Sequence, residues 1–137
     1  MDIEELTEAI DSLLFGKWFS SGEKVYKFEQ EFSKKINQKY SVMVNSGSSA
    51  NLVMIAALKK HFKWVDTDEI LLSVVGFPTT LNPTLQVGFT PVFVDIELDT
   101  LNLDVAQCER VLADNPDIRV ITFAHVLGNP PNMNRLM

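Results

Sequence analysis

Short apolar segments alternate with segments of helical periodicity along most of this 137-residue chain. The apolar segments predict four β-strands, at residues 40–44, 69–75, 91–96 and 118–124. Strands that are apolar on both sides are buried on both faces, as in parallel sheets that helices cover. The pattern therefore predicts an α/β fold with a mainly parallel sheet and helices on both faces.

The helical segments carry apolar side chains that recur every three or four residues. They predict helices at residues 3–14, 25–36, 48–62 and 78–87, and a fifth helix that is capped by Asp104 and ends near residue 113. Residues 16–22 interrupt the pattern around Trp18 and Phe19. We expect Pro83 to lie in the first turn of the fourth helix, where no amide is needed.

The length of the chain and its apolar fraction of 46% predict one folded domain. The net charge of −6 and the pI near 4.8 argue against nucleic acid and anionic membranes as partners. No segment reaches the roughly 18–20 apolar residues of a membrane helix, and the acidic N-terminus is unlike a secretory signal. The single cysteine, Cys108, excludes an internal disulfide and an all-cysteine metal site, and we expect it to pack inertly in a cytoplasmic protein.

The segment from Asn45 to Leu52, Asn-Ser-Gly-Ser-Ser-Ala-Asn-Leu, joins a predicted strand to a predicted helix. Free backbone amides at a helix N-terminus, aided by the helix dipole, form a site for anions such as phosphate. We expect Gly47 to adopt a backbone conformation that a Cβ would forbid, and Ser48 and Ser49 to add hydroxyl donors. The alternative is that these residues only cap the helix. The spacing matches neither a P-loop nor the three-glycine dinucleotide motif.

Four predicted loops share the carboxyl end of the predicted strands, at residues 45–49, 76–79, 95–99 and 125–131. They are rich in Gly, Ser, Thr, Asn and His. Ligands of parallel α/β sheets bind at this edge, so we expect binding and chemistry to be concentrated there. We expect Asp95 and Glu97 to order their loop rather than to take part in chemistry.

Several segments carry, in order along the chain, a likeness to one enzyme family. They are residues 20–22, 28–32, 44–52, 76–83, 91–96, 100–104 and 124–130. Together they resemble the DegT/DnrJ/EryC/StrS family of sugar aminotransferases and dehydrases, which use pyridoxal phosphate. The resemblance implies part of a fold-type-I transferase large domain, with residues 1–137 as its N-terminal part.

Three of these segments are similar to one branch of the family. Gly-Ser-Ser-Ala-Asn-Leu at 47–52, Gly-Phe-Pro-Thr-Thr at 76–80 and Ala-His-Val-Leu-Gly-Asn-Pro at 124–130 resemble the CDP-4-keto-6-deoxyglucose 3-dehydrases of lipopolysaccharide deoxysugar pathways. Sugar aminotransferases usually carry a Pro-Ser-Phe-Thr-Phe type of segment where this chain has Val-Val-Gly-Phe at 74–77. A sugar aminotransferase is the alternative within the family. A non-catalytic, phosphate-binding or self-associating α/β domain is the alternative outside it.

The resemblance implies roles for five residues. In the cofactor-binding turn formed by Gly47, Ser48 and Ser49, the backbone amides of Ser48 and Ser49 would hold the phosphate of pyridoxal 5′-phosphate or pyridoxamine 5′-phosphate. Phe77 would stack on the pyridine ring of the cofactor, the alternative being an ordinary core aromatic. His125 would line the active site, the alternative being a structural hydrogen-bonding residue.

No residue of this chain matches the catalytic groups of the family. In the family, the acid at the pyridine nitrogen follows the segment matched by residues 124–130. The Schiff-base lysine, or the histidine that replaces it, lies further on, and no lysine here occupies that position. The resemblance therefore implies a fragment that lacks the C-terminal domain and is inactive by itself. Full-length relatives act on nucleotide sugars and are typically homodimers.

Overall fold

A computed structural model describes residues 2–16 and 20–137 of the chain. The chain divides into two compact units, residues 1–44 and 45–137. Trp18 and Phe19, around which the sequence predicts a break, lie outside the described residues. Of the helices formed by residues 2–16 and 20–137, none combines the length and the apolar character needed to cross a bilayer.

The first unit contains two helices, α1 (Ile3–Phe15) and α2 (Glu23–Lys35), and both were predicted. Helix α1 begins with a capping box, because the Asp2 carboxylate accepts from the Glu5 amide at 2.9 Å and the Glu5 carboxylate accepts from the Asp2 amide at 3.0 Å. This reciprocal pair satisfies backbone donors that the first helical turn leaves without partners.

The predicted strand at residues 40–44 is wrong, because no strand forms there. The segment is instead tied to α2 through Glu29. The Ser41 hydroxyl donates to the Glu29 carbonyl oxygen at 2.5 Å, and the Met43 amide donates to the Glu29 carboxylate at 2.8 Å. Tyr40, Val42 and Met43 are exposed, so the apolar pattern here does not reflect burial within a sheet.

The second unit is an α/β layer structure. Its elements are α3 (Gly47–Phe62), β1 (Glu69–Ser73), α4 (Pro78–Gln86), β2 (Thr90–Val94), α5 (Val105–Asp114), β3 (Ile118–Thr122), a 3₁₀ turn (Val126–Gly128) and α6 (Met133–Leu136). The three strands form a parallel sheet in the order β2-β1-β3. The predicted parallel sheet is therefore confirmed, with three strands in place of four.

Strand β1 is the centre of the unit and is buried on both faces. Ile70 and Leu72 belong to one apolar cluster and Leu71 belongs to the other, as the alternation of side chains along a strand requires. The first cluster also contains Ile55 and Phe89, and the second contains Val94, Leu103 and Cys108. Since Ile55 lies on α3 and Cys108 lies on α5, helices contribute to both clusters, as the sequence predicts.

Helix α4 differs from prediction at Pro83. The helix begins at Pro78, so Pro83 lies in its interior and not in its first turn. Pro83 is buried. A proline inside a helix has no amide hydrogen, so the carbonyl four residues earlier, that of Thr79, loses its usual donor.

Asp68 lies just before β1, at the amino end of the sheet, and is almost fully buried. Its carboxylate accepts from the Val65 amide at 2.8 Å and from Arg119 Nε at 2.8 Å. The Val65 hydrogen bond and the Arg119 guanidinium hold the pKa of the Asp68 carboxyl below its usual range, against the opposing effect of burial. The ionised carboxylate is thus favoured in the folded state.

We predict that Asp68→Asn lowers the melting temperature at pH 7 by several degrees, and that this difference shrinks in acid. An unfolded aspartate has a pKa of about 3.9, and the folded-state pKa is lower. The stabilisation is therefore complete above that pH and is lost as the pH falls through the folded-state pKa. Thermal unfolding between neutral and acidic pH measures the effect.

Asp117→Asn is the matched control, since Asp117 is exposed and lies 3.9 Å from the same guanidinium. An exposed pair contributes little, so we expect that variant to unfold like the wild type. An Asp68→Asn difference that stayed constant down to the most acidic pH would contradict the prediction.

Candidate functional site

The carboxyl ends of the three parallel strands, at Ser73, Val94 and Thr122, form one edge of the sheet, here called the carboxyl edge. The predicted loops at 76–79, 95–99 and 125–131 follow these strands closely. The loop at 45–49 follows no strand, but it opens helix α3. Three of the four loops therefore lie at the carboxyl edge as the sequence predicts.

Some polar groups of the turn before α3 form hydrogen bonds with each other. Ser46 is the N-cap, and its hydroxyl accepts from the Ser49 amide at 3.2 Å. The Ser49 hydroxyl donates to the Asn45 side-chain oxygen at 2.6 Å. The predicted capping is thus present, and it occupies the Ser49 amide.

The amides of Gly47 and Ser48 have no acceptor among residues 2–16 and 20–137. Both residues are exposed at the start of α3. Two free amides and the positive end of the helix dipole make this end of the helix competent to bind an anion. Of the two amides that the resemblance implies for the phosphate, that of Ser48 is free and that of Ser49 is already bonded to the Ser46 hydroxyl. The Gly47 amide is free in addition.

The prediction that Gly47 needs a special backbone conformation is wrong. Gly47 is the first residue of α3, and it is not among the residues with positive φ. A Cβ built at this position would have no atom within 4 Å. The absence of a side chain therefore leaves open space beside the free amides but is not required by the fold.

Phe77 is an exposed aromatic side chain at the start of α4. Its backbone is the N-cap of that helix, and the residue is 70% exposed. The ring lines a cleft of about 210 Å³, called here the Phe77 cleft, together with side chains that include Leu72, Leu81 and Phe93. The alternative that Phe77 is a core aromatic does not hold, because its ring is open to a ligand.

The starts of α3 and α4 are joined by Asn51, a residue whose role the sequence reasoning missed. Asn51 Nδ2 donates to the Thr79 carbonyl oxygen at 3.1 Å, and this is the carbonyl that Pro83 leaves without a donor. The bond therefore joins the early part of α3 to the first turn of α4. A proline inside a helical pattern was the signal for this bond, since it marks a carbonyl that needs another donor.

His125 lies beyond β3, just before the 3₁₀ turn. It is exposed, and its ring centroid is 5.8 Å from that of Phe123. The imidazole forms no hydrogen bond with any described part of the chain, so the alternative of a structural hydrogen-bonding residue gains no support. His125 thus lies exposed after β3, at the carboxyl edge.

Asn102 holds the loops after β2 and β3 together, and sequence reasoning did not single it out. It is 1% exposed. Its Nδ2 donates to the Asn129 carbonyl oxygen at 2.8 Å, and its Oδ1 accepts a long bond from the Val126 amide at 3.4 Å. The turn that follows His125 is therefore positioned by a buried carboxamide from the neighbouring loop.

Asp95 and Glu97 order their loop, as the sequence predicts. The Asp95 carboxylate accepts from the Ile96 amide at 2.8 Å, and the Glu97 carboxylate accepts from the Thr100 hydroxyl at 3.2 Å. Cys108 is fully buried in the sheet packing, and burial raises the pKa of its thiol to about 11. Its predicted packing in the interior is confirmed, and a thiol so rarely ionised is a poor nucleophile.

Comparison with known proteins gives a match over the whole chain. The model of the DegT/DnrJ/EryC1/StrS aminotransferase family matches residues 1–137. A GDP-4-keto-6-deoxy-D-mannose 3-dehydratase of Escherichia coli O55:H7 is 40% identical over 131 residues, which are 94% of this chain and 33% of that protein. A dTDP-4-dehydro-2,6-dideoxy-D-glucose 3-dehydratase of Saccharopolyspora spinosa is 38% identical over 115 residues, which are 81% of this chain and 24% of that protein.

A solved structure shares the fold. It is the E. coli GDP-4-keto-6-deoxy-D-mannose-3-dehydratase with bound hydrated pyridoxal phosphate, with a TM-score of 0.88 and 40% identity over 99% of this chain and 35% of that one. The chain thus spans about a third of the length of the relatives that it matches. The family resemblance and the likeness to 3-dehydrases, both drawn from sequence motifs, are confirmed.

We predict that Asn102→Ala destabilises the second unit by about 1–3 kcal/mol, because it removes a buried carboxamide that bonds to the backbone of Val126 and of Asn129. The Val126 amide should also exchange its hydrogen faster. Urea unfolding and hydrogen exchange measure the two effects. Asn82→Ala is the control, since Asn82 is exposed on α4 and its side chain bonds to none of the described residues. Equal stability of the two variants would contradict the prediction.

Proposed function

The chain belongs to the DegT/DnrJ/EryC1/StrS aminotransferase family, and from that premise we propose that it forms the cofactor-phosphate side of a 3-dehydratase for nucleotide-linked 4-keto-6-deoxy sugars. The cofactor would be pyridoxal phosphate or pyridoxamine phosphate. Support comes from relatives that are 40% and 38% identical and are named as such 3-dehydratases. The residues that would bind the cofactor are proposals drawn from the geometry of this chain.

The observation that carries the proposal is the pairing of an anion-binding helix start with an exposed aromatic ring. The free amides of Gly47 and Ser48 suit a phosphate group, and Phe77 offers an apolar face to a flat ring. Asn51 connects the two helices that carry them. A phosphorylated pyridine needs both kinds of contact, so the residues present fit the cofactor.

When bound, the cofactor supplies the electron sink for the reaction. The residues of this chain bind and orient it. The amides of Gly47 and Ser48 anchor the phosphate without a basic side chain, by charge-assisted hydrogen bonds. Phe77 fixes the plane of the ring, and such stacking contributes about 0.5–1.5 kcal/mol beyond area burial.

His125 lies at the carboxyl edge of the same sheet and has an accessible imidazole. We propose that it lines the active site on the side of the loop after β3, where Asn102 holds the following turn in place. A lining role requires only a hydrogen bond to the cofactor or substrate. No residue described here is assigned a catalytic role.

A sugar aminotransferase is the second candidate, since the matching family carries that activity in its name. The nucleotide of the substrate also stays open. The two relatives carry GDP and dTDP in their names, and the CDP sugar expected from the motifs stays a prediction. A homodimeric assembly and a cytoplasmic location likewise stay predictions, as does the inactivity of these 137 residues by themselves.

We predict that Gly47→Pro weakens the binding of pyridoxamine 5′-phosphate about 10–100-fold, because one charge-assisted hydrogen bond worth about 1.5–3 kcal/mol is lost. The fold should tolerate the change. Position 47 is the first helical residue, where proline is favoured, and Ser46 has the extended backbone that proline requires before it. Calorimetric titration measures the affinity, and this ligand has no aldehyde that could react with surface lysines.

Gly47→Ala is the matched control, because it adds a Cβ in the same open space but keeps the amide. We expect it to bind like the wild type. If both variants bound equally well, the amide of Gly47 would not hold the phosphate. If the wild type bound no pyridoxamine phosphate, the proposed cofactor site would be wrong.

A further inference from the structure

Helix α4 contains a defect that another helix repairs. Pro83 is the sixth residue of the nine in α4, and it is buried. Because it has no amide hydrogen, it cannot donate to the Thr79 carbonyl oxygen. Thr79 is half-buried, so its carbonyl oxygen is stabilised when another part of the structure supplies a donor.

The donor is the side chain of Asn51 on α3. Its Nδ2 lies 3.1 Å from the Thr79 carbonyl oxygen, within the range of a normal hydrogen bond. A second side chain of α3, Lys59, donates to the Val87 carbonyl oxygen at 2.7 Å, at the other end of α4. The two bonds hold α3 and α4 together at both ends.

The bond of Asn51 lies close to both parts of the proposed cofactor site. Asn51 is four residues after Gly47 and three after Ser48, which places it one turn below them on the same side of α3. Thr79 is two residues after Phe77. A change in this bond therefore acts on the parts of α3 and α4 that adjoin these residues in sequence.

We propose that Asn51 is a positioning residue that sets the spacing between the phosphate-binding amides and the Phe77 ring. Asn51 donates to the Thr79 carbonyl oxygen, which receives no hydrogen bond from Pro83. In a regular helix an amide of α4 itself would make this bond, whereas here the bond joins α4 to α3. The inference rests on the proposed function for its ligand. The part that concerns Asn51 and Pro83 rests on the structure alone.

The test uses four versions of the 137-residue chain: wild type, Asn51→Leu, Pro83→Ala and the double variant. Pro83→Ala returns a backbone amide to α4 and so restores an internal donor for Thr79. The measurements are the melting temperature without ligand and the affinities for pyridoxamine phosphate and for inorganic phosphate. Inorganic phosphate needs only the amides, whereas pyridoxamine phosphate needs the amides and the ring at the correct spacing.

We expect Asn51→Leu to lower the melting temperature, because the Thr79 carbonyl loses its donor. We also expect it to weaken the binding of pyridoxamine phosphate about tenfold, or about 1.4 kcal/mol, because the amides and the ring are no longer held at the correct spacing. Its affinity for inorganic phosphate should not change. In the double variant the melting temperature should recover, because Thr79 has a donor again. The affinity for pyridoxamine phosphate should stay low, because the internal donor does not join α4 to α3.

Three results would overturn the inference. In the first, Asn51→Leu binds pyridoxamine phosphate as tightly as the wild type. In the second, the double variant regains affinity together with stability. Either result would make Asn51 a purely structural residue. Asn51→Leu could also lower the melting temperature equally in the wild-type chain and in the Pro83→Ala chain, which would refute the role of substitute donor. Asn51→Ala is the second variant if the leucine does not fold.

The experiment also distinguishes a failure of the proposed function from a failure of the inference on Asn51. If the wild type bound no pyridoxamine phosphate, the cofactor site would be wrong, but the four melting temperatures would still test the exchange of donors between Asn51 and residue 83.

Discussion

The burial of one strand on both faces is the constraint on which the second unit depends. Ile70, Leu71 and Leu72 leave no polar side on β1, so helices must cover the sheet above and below. Parallel neighbours then require a crossover between strands, and every crossover starts at the same edge. The loops after β1, β2 and β3 are gathered at the carboxyl edge as a consequence of this packing, whereas the turn of Gly47 follows no strand.

The candidate site combines two helix starts that differ in chemistry. The start of α3 offers free amides, because its serine cap satisfies only part of the first turn. The start of α4 offers an exposed ring, since Phe77 caps the helix with its backbone and leaves its side chain outside the core. In the proposed function the two helix starts bind different parts of the same cofactor. The side chain of Asn51 joins the two helices, and neither segment alone indicates that bond.

The sequence predicted features that depend on local pattern. The length of α3 and the cap of α5 by Asp104 follow from periodicity and from side-chain chemistry, and both are present. The predictions that are wrong concern segments whose hydrogen-bonding partners are distant in sequence or absent. Residues 40–44 have a strand-like pattern, but the Ser41 hydroxyl and the Met43 amide donate to Glu29 of α2 and not to a neighbouring strand. Inside α4, the Thr79 carbonyl that Pro83 cannot serve accepts instead from Asn51, which is far away in sequence. Such compensation cannot be read from either segment alone.

The hydrogen bond of Asn51 near Pro83 also couples the substitutions that positions 51 and 83 can accept during evolution. With proline at 83, position 51 is restricted to side chains that can donate a hydrogen bond over the same reach. With any other residue at 83, the backbone supplies the donor and position 51 is free to become apolar. Substitutions at the two sites should therefore accumulate in a preferred order, with the donor at 51 arising before the proline.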